Sequence, residues 1–445
     1  MRAARLFAAL LAALAVAGAV MPAQAVAAPG PATAPEWWFD SWDVAGLWAR
    51  GDTGAGVTIA VIDTGVQGSI PELAGKILPG ADYTGQGGSG EVDYDSDEFG
   101  HGTAMASLMV ASAGYANIQG LAPDARVLPI SVPLQDTTAG AAASATALPD
   151  SIRWAADHGA KIISMSLGGY RDPTTTSEPC PTDQQDAITY AISKGAIVVA
   201  AGGNAADQGS PVEEPGVCLG VISVGAVDST LTAGSFSSRH PYLTVSAPGV
   251  AIPTLSRIPD QAYVGQGTSQ ATALTSAALA LVWSAYPSLS GEAIATKLLA
   301  TVQDLGPAGR DDTYGLGFIR PDQAIEQAVP ADADNPVWDG IAPYLPQPSA
   351  AASPSVSVTP AATASNPPGT AVVAAAPARV PMRAVIGAAA AAWALLMLLA
   401  LSLIGGRRRA RRRRAIARSE AAAVIPEAEA VPIVAEAGAA PIVPV

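Results

Sequence analysis

Asp63, His101 and Ser269 are the residues whose types and local settings could together carry out nucleophilic acyl transfer. A serine hydroxyl is inert at its free pKa. It needs an imidazole to accept its proton, and the imidazole needs a buried carboxylate to fix its tautomer. Asp63 closes the apolar run Ala60-Val61-Ile62 and precedes Thr64-Gly65. That setting delivers its carboxylate at the carboxyl edge of a strand, where α/β sheets place their ligands; the competing reading is a helix-capping aspartate. His101 stands between Gly100 and Gly102 and is followed by the small residues Thr103-Ala104-Met105-Ala106-Ser107. Glycines on both sides would let backbone approach a substrate and let the ring project from a helix start. The other two histidines lack this frame: His158 beside Gly159 reads as a helix cap, and His240 sits beside Pro241 in a polar loop. Ser269 opens a helical pattern that runs to Tyr286. There a developing negative charge would meet free N–H groups and the positive end of the helix dipole, although a helix start favours serine as N-cap in any case.

The elements that must hold these residues alternate along the chain. Short β-branched runs fall at Val57 to Ile62, Val127 to Val132, Lys161 to Met165, Ile197 to Ala201, Val221 to Ala226 and Leu243 to Ala247. Such near-continuous apolar runs suit strands covered on both faces. Helical patterns lie between or after them at Gly102 to Ser112, Ala147 to His158, Asp183 to Lys194, Ser269 to Tyr286 and Ser290 to Thr301. Strand-helix alternation predicts an α/β fold, a three-layer sandwich with a mostly parallel sheet, over residues 54–330.

The flanks carry the apolar excess that makes the chain 49% hydrophobic, more than one soluble domain needs. Arg2 and Arg5, the run Leu6 to Val20 and Ala23-Gln24-Ala25 read as a secretory signal over 1–28. An aromatic-rich extension, 29–53, contains Trp37, Trp38, Phe39, Trp42 and Trp48 and should pack on the domain surface. Residues 331–383 form a Pro/Ala-rich linker, and 384–406 are uncharged and long enough to cross a hydrocarbon core of ~30 Å. Arg407, Arg408, Arg409 and Arg411 to Arg414 follow at once, and such a cluster stays cytoplasmic. That orientation makes 407–445 a basic, then disordered, cytoplasmic tail and the domain extracytoplasmic.

Between residues 29 and 345 there are 12 Lys and Arg against 34 Asp and Glu, a net of −22, so nucleic acid is excluded as a partner. The two cysteines, Cys180 and Cys218, lie in the exported part and are expected to pair as a disulfide. With no neighbouring histidine or third thiol they form no metal site. The run Glu91, Asp93, Asp95, Asp97 and Glu98 offers oxygen ligands at a spacing calcium could use, while the plainer expectation is solvation of a surface loop. If ionised, these groups should raise the pKa of His101. No other cofactor is expected.

Asp, His, Ser is the chain order of the subtilisin arrangement. The segments Ala60-Val61-Ile62-Asp63-Thr64-Gly65, Gly100-His101-Gly102-Thr103 and Gly267-Thr268-Ser269 together resemble the subtilase family of serine proteases. The resemblance implies an endopeptidase acting on protein or peptide substrates, and it gives roles to further segments. Asn204, in Ala200-Ala201-Gly202-Gly203-Asn204, would be the oxyanion donor, with a turn asparagine as the alternative. Ser164-Met165-Ser166-Leu167-Gly168-Gly169 would be the substrate-binding edge, where a peptide pairs with Ser166, Leu167 and Gly168, with Ala201 and Gly203 lining the facing side. Two positions depart from the family pattern. Gln270 replaces a hydrophobic residue after the nucleophile, and Ala273 stands where a proline is usual. Secreted subtilisins usually carry a folding propeptide, which the short stretch before Gly54 leaves no room for.

Signal, aromatic extension, catalytic domain, linker, membrane span and basic tail in this order are similar to the mycosins, membrane-anchored subtilases of actinobacterial type VII secretion systems. That likeness implies a single-pass cell-membrane enzyme working beside secretion-complex subunits. It also raises a rival: a structural subunit whose proteolysis is dispensable.

Overall fold

A computed structural model describes residues 36–95, 99–133, 138–170, 180–330 and 332–346, with backbone only at 138–145. The expected signal, membrane span, cytoplasmic tail, most of the linker, and Asp97 and Glu98 lie outside the described residues.

Eleven strands are described: β1 Thr58–Asp63, β2 Ala81–Asp82, β3 Arg126–Ser131, β4 Ile162–Met165, β5 Gly169–Tyr170, β6 Ile197–Ala201, β7 Glu213–Glu214, β8 Val221–Val227, β9 Val245–Pro248, β10 Ile252–Leu255 and β11 Ala262–Gly265. Seven of them form one sheet in the order β2-β3-β1-β4-β6-β8-β9. Every pairing in it is parallel. β4, β6, β8 and β9 are buried along their full length, which is why they read as apolar runs without alternation. The pairs β5-β7 and β10-β11 are small antiparallel ribbons.

Helices pack on the sheet in two groups. His101–Val110 and Thr268–Ala285 pack on each other and on the central strands, while Thr138–Asp157 and Thr182–Ser193 form a second touching pair. Thr268–Ala285 is buried at every residue from Thr268 to Trp283, and such a helix, built of small and apolar residues on every side, runs through the interior. Ala273 is wholly buried there and the helix continues through it. The helix expected from Ala147 begins instead at Thr138. Its first turns are alanine-rich, with high helix propensity but no apolar-polar alternation for a periodicity argument to detect.

The ends of the domain differ from expectation. Trp38 and Trp42 are fully buried rather than laid on the surface. Trp37 and Trp42 pack on Phe318 with ring centroids 5.9 Å and 5.7 Å away, and Trp48 donates its indole N–H to the Leu121 carbonyl. The N-terminal segment is therefore part of the core. Trp42→Ala should lower stability by about 3–5 kcal/mol, as large-to-small changes at filled sites do. Denaturant unfolding checks this, and a loss under about 1 kcal/mol would show the segment to be peripheral.

At the other end, a short helix Pro336–Ile341 carries Val337, Trp338 and Ile341 into the core. Asn335 caps it by accepting from the Trp338 N–H and donates to Thr296. Folded structure thus continues beyond 330, because these apolar residues sit among the Asp and Pro that make the stretch look like linker. Cys180 and Cys218 are disulfide-bonded, joining the segment before Thr182–Ser193 to the approach to β8.

Candidate active site

β1, β4 and β6 are neighbours in the sheet, and their carboxyl ends bring together the segments that carry the candidate residues. Asp63 is the last residue of β1 and is completely buried. Its Oδ1 accepts from the Thr64 N–H at 2.7 Å, and its two oxygens lie 2.8 Å and 3.0 Å from His101 Nδ1. A carboxylate on Nδ1 fixes the tautomer that leaves Nε2 free to act as base.

His101 opens its helix. The flanking glycines allow close packing around the ring. Gly100 has φ +76°, in the left-handed region, and a methyl group at Gly102 would lie 2.1 Å from the Gly65 carbonyl oxygen. Only glycine lets the helix start press this closely on the strand that carries Asp63.

The acidic run also has a role that its sequence did not show. Asp93 is buried rather than solvated and accepts from Thr64 Oγ1, from the Asp95 N–H, and from the Thr103 N–H and hydroxyl. Asp95 accepts from the His101 N–H at 2.8 Å. Among the described residues no three His, Cys, Asp or Glu side chains are grouped to hold a metal ion.

Burial by itself would pull the His101 pKa down. The charge and hydrogen bond of Asp63, with Asp95 and Asp93 behind them, outweigh it and push it up to about 9. A raised pKa keeps the imidazole protonated, and so unable to act as base, to higher pH. The acid limb of kcat/KM, which reports the free enzyme, is therefore expected above histidine's ordinary 6.5, toward about 9. Initial rates across pH test this; a limb at or below 6.5 would refute it.

Ser269 is the second residue of Thr268–Ala285 and is nine-tenths buried. Its hydroxyl donates to the Ser166 carbonyl at 2.9 Å, and the Ser166 hydroxyl donates back to the Ser269 carbonyl at 2.9 Å. The exchange ties the nucleophile segment to the expected substrate edge, Ser166, Leu167 and Gly168, which follows β4. Catalytic hydrogen bonds in unliganded enzymes often tighten only with substrate bound.

Ala201 ends β6, and Asn204 follows three residues later. The Asn204 Oδ1 accepts from the Thr268 N–H at 2.8 Å and from Thr268 Oγ1 at 3.0 Å, while Thr268 Oγ1 accepts from the Gly203 N–H at 3.2 Å. With its oxygen so committed, the amide presents its NH2 as a donor. Thr268, Thr64 and Thr103, named above only as members of motifs, hydrogen-bond through their hydroxyls to Asn204, Asp63 and Asp93 respectively. Each hydroxyl neighbours a candidate residue, which was the available signal. His158 and His240 stand apart, accounted for by Trp154 and by Pro211 with Tyr242.

Comparison with known proteins agrees with this geometry. The model of the subtilase family matches residues 54–317, more than half of the chain. The chain belongs to the subtilase family. It is 35% identical to subtilisin DY of Bacillus licheniformis over 281 residues, 62% of this chain and 94% of that protein. Among solved structures, the MycP3 protease from the type VII (ESX-3) secretion system superposes with a TM-score of 0.58 at 30% identity, covering 68% of this chain and 90% of that one. MycP1, described as a serine protease and an essential component of the type VII (ESX-1) secretion system, gives a TM-score of 0.56 at 28% identity, covering 67% of this chain and 92% of that one. This subtilase is thus a serine endopeptidase whose structural neighbours are mycosins. No helix among its described residues is long and apolar enough to cross a membrane, and the expected span at 384–406 lies outside them.

Proposed function

We propose that this subtilase is a membrane-anchored, extracytoplasmic endopeptidase of a type VII secretion system, cutting peptide bonds with Asp63, His101 and Ser269. The observation that carries the chemistry is the buried Asp63 carboxylate held on His101 Nδ1 at 2.8 Å, with Ser269 at the head of a helix packed against that of His101. Ser269 Oγ attacks the scissile carbonyl as His101 takes its proton. Asn204 and the start of the Ser269 helix stabilise the oxyanion, and His101 then protonates the leaving amine.

A substrate strand pairing with Ser166 to Gly168 would place an N–H on the Ser166 carbonyl. Ser269 now occupies that carbonyl. Binding would then release the serine hydroxyl toward His101, so that the nucleophile is armed only when a peptide is in place. Anchoring rests on the uncharged stretch 384–406 with its following arginines, and the secretion setting rests on likeness to MycP3.

The hydroxyl's engagement with Ser166 also favours a second reading, a structural subunit whose proteolysis is dispensable. Mass-spectrometric cleavage mapping with the full chain, against Ser269→Ala, tests the first. Secretion and complex assembly in cells carrying either Ser269→Ala or no chain at all separate the two. Loss on deletion with full function in Ser269→Ala would favour the structural role.

A further inference from the structure

Glu213 is a buried acid that the proposed chemistry does not use. It opens β7, which pairs antiparallel with β5 so that Glu213 lies opposite Tyr170 and Glu214 opposite Gly169. Its side chain reaches the two segments expected to flank a bound peptide. A methyl group at Gly168 would sit 2.7 Å from Glu213 Oε2, and one at Gly203 would sit 2.3 Å from Oε1. The carboxylate is thus wedged between two glycine faces, two residues from the Ser166 carbonyl on one side and next to Asn204 on the other.

That carboxylate is under-satisfied. Glu213 is 6% exposed, and its Oε1 has no hydrogen-bond partner. The carboxylate takes a backbone hydrogen bond from Asn204, and burial pushes its pKa up. The nearby Tyr242 hydroxyl accepts from the Glu213 N–H and leaves the carboxylate unserved. Among the described residues no ion pair uses Glu213. A buried carboxylate oxygen without a partner is costly and needs an explanation. Here a cation arriving with the substrate supplies one.

The geometry points to Glu213 as a specificity-determining residue that selects lysine or arginine on the acyl side of the scissile bond. Glycine at 168 and 203 sets no side chain of its own over the Glu213 carboxylate, so the charged end of a long aliphatic side chain lying across their backbones can meet Oε1. This rests on Ser269 being the nucleophile, since that places the acyl-side residue between Ser166 to Gly168 and Ala201 to Gly203.

Matched tetrapeptide anilides ending in Lys, Arg, Phe, Leu or Ala, offered to the full chain, test the assignment. The Lys and Arg peptides are expected to be cleaved with kcat/KM roughly ten- to a hundredfold above the others, the range of a charge-assisted contact. Glu213→Gln should remove most of that advantage while leaving Phe and Leu cleavage within about threefold, and Glu213→Asp should restore part of it. Labelling of Ser269 by a fluorophosphonate shows whether each variant is folded and competent. Best cleavage after Phe, Leu or Ala, or an unchanged Lys-to-Phe ratio in a labelled Glu213→Gln, would overturn the assignment. Absence of labelling and of turnover on all five peptides in the unaltered chain would instead overturn the nucleophile reading, and this inference with it.

Discussion

Ser269→Ala and His101→Ala are each expected to lower kcat by about a millionfold, and the double variant by hardly more, as in subtilisin, where the triad acts as one unit. The reason is mechanistic: a base without a nucleophile and a nucleophile without a base are equally idle. Asp63→Asn should cost less, about ten-thousandfold. Its amide can still occupy the buried site but offers the imidazole the wrong hydrogen-bonding partner, and the Thr64 N–H loses a charged acceptor at 2.7 Å. Residual activity of all three should stay above the uncatalysed rate by about a thousandfold or more, since the oxyanion donors remain. Single-turnover rates on one fluorogenic peptide measure the series. Losses that multiply in the double variant would mean that Ser269 and His101 do not act on the same proton, which sinks the triad. Ser269→Ala should melt near the unaltered protein, whereas His101→Ala, which leaves the buried Asp63 carboxylate without its imidazole partner, should melt lower.

How much of this was visible in the sequence follows from what each element leaves in the residue pattern. Six of the seven strands of the large sheet were legible within a residue or two because burial forces mostly apolar runs of Val, Ile and Ala. β2, of two residues, has too few side chains to show a pattern. The placement of Asp63, His101 and Ser269 at element ends was legible because each has a distinctive neighbour in the sequence. Asp93 was not, because alternate acids on a loop look the same whether solvated or held by Thr64 and Thr103, and the difference lies in partners far off in the chain. Glu213 was hidden for the same reason. Its meaning comes from Gly168 and Gly203, distant in sequence and brought together by β5-β7 pairing and the end of β6. Trp42 was legible as aromatic packing but not as core, since nothing local announces that Phe318 is its partner.

Asn204→Ala is expected to lower kcat by about a hundred- to a thousandfold with KM nearly unchanged, the loss measured for one oxyanion donor in subtilisin. The split follows from where the donor acts. The charge on the substrate oxygen exists only as the tetrahedral intermediate forms, so ground-state binding does not feel the amide. Thr268 offers a sharper test, because its hydroxyl is committed to Asn204 and Gly203. Its hydroxyl gives the Asn204 Oδ1 one of its two donors and accepts the Gly203 N–H. Thr268→Val keeps the shape but removes both contacts, leaving the amide held by the Thr268 N–H alone. A loss in kcat of up to about tenfold is expected, the worth of one ordinary hydrogen bond, with recovery in Thr268→Ser. A turn asparagine would behave differently, since its removal would disturb the Gly203 side of the pocket and raise KM while leaving the chemical step intact. The KM-against-kcat split for Asn204→Ala therefore decides between the two roles, and the Thr268 pair decides whether the donor is held in place or free to turn.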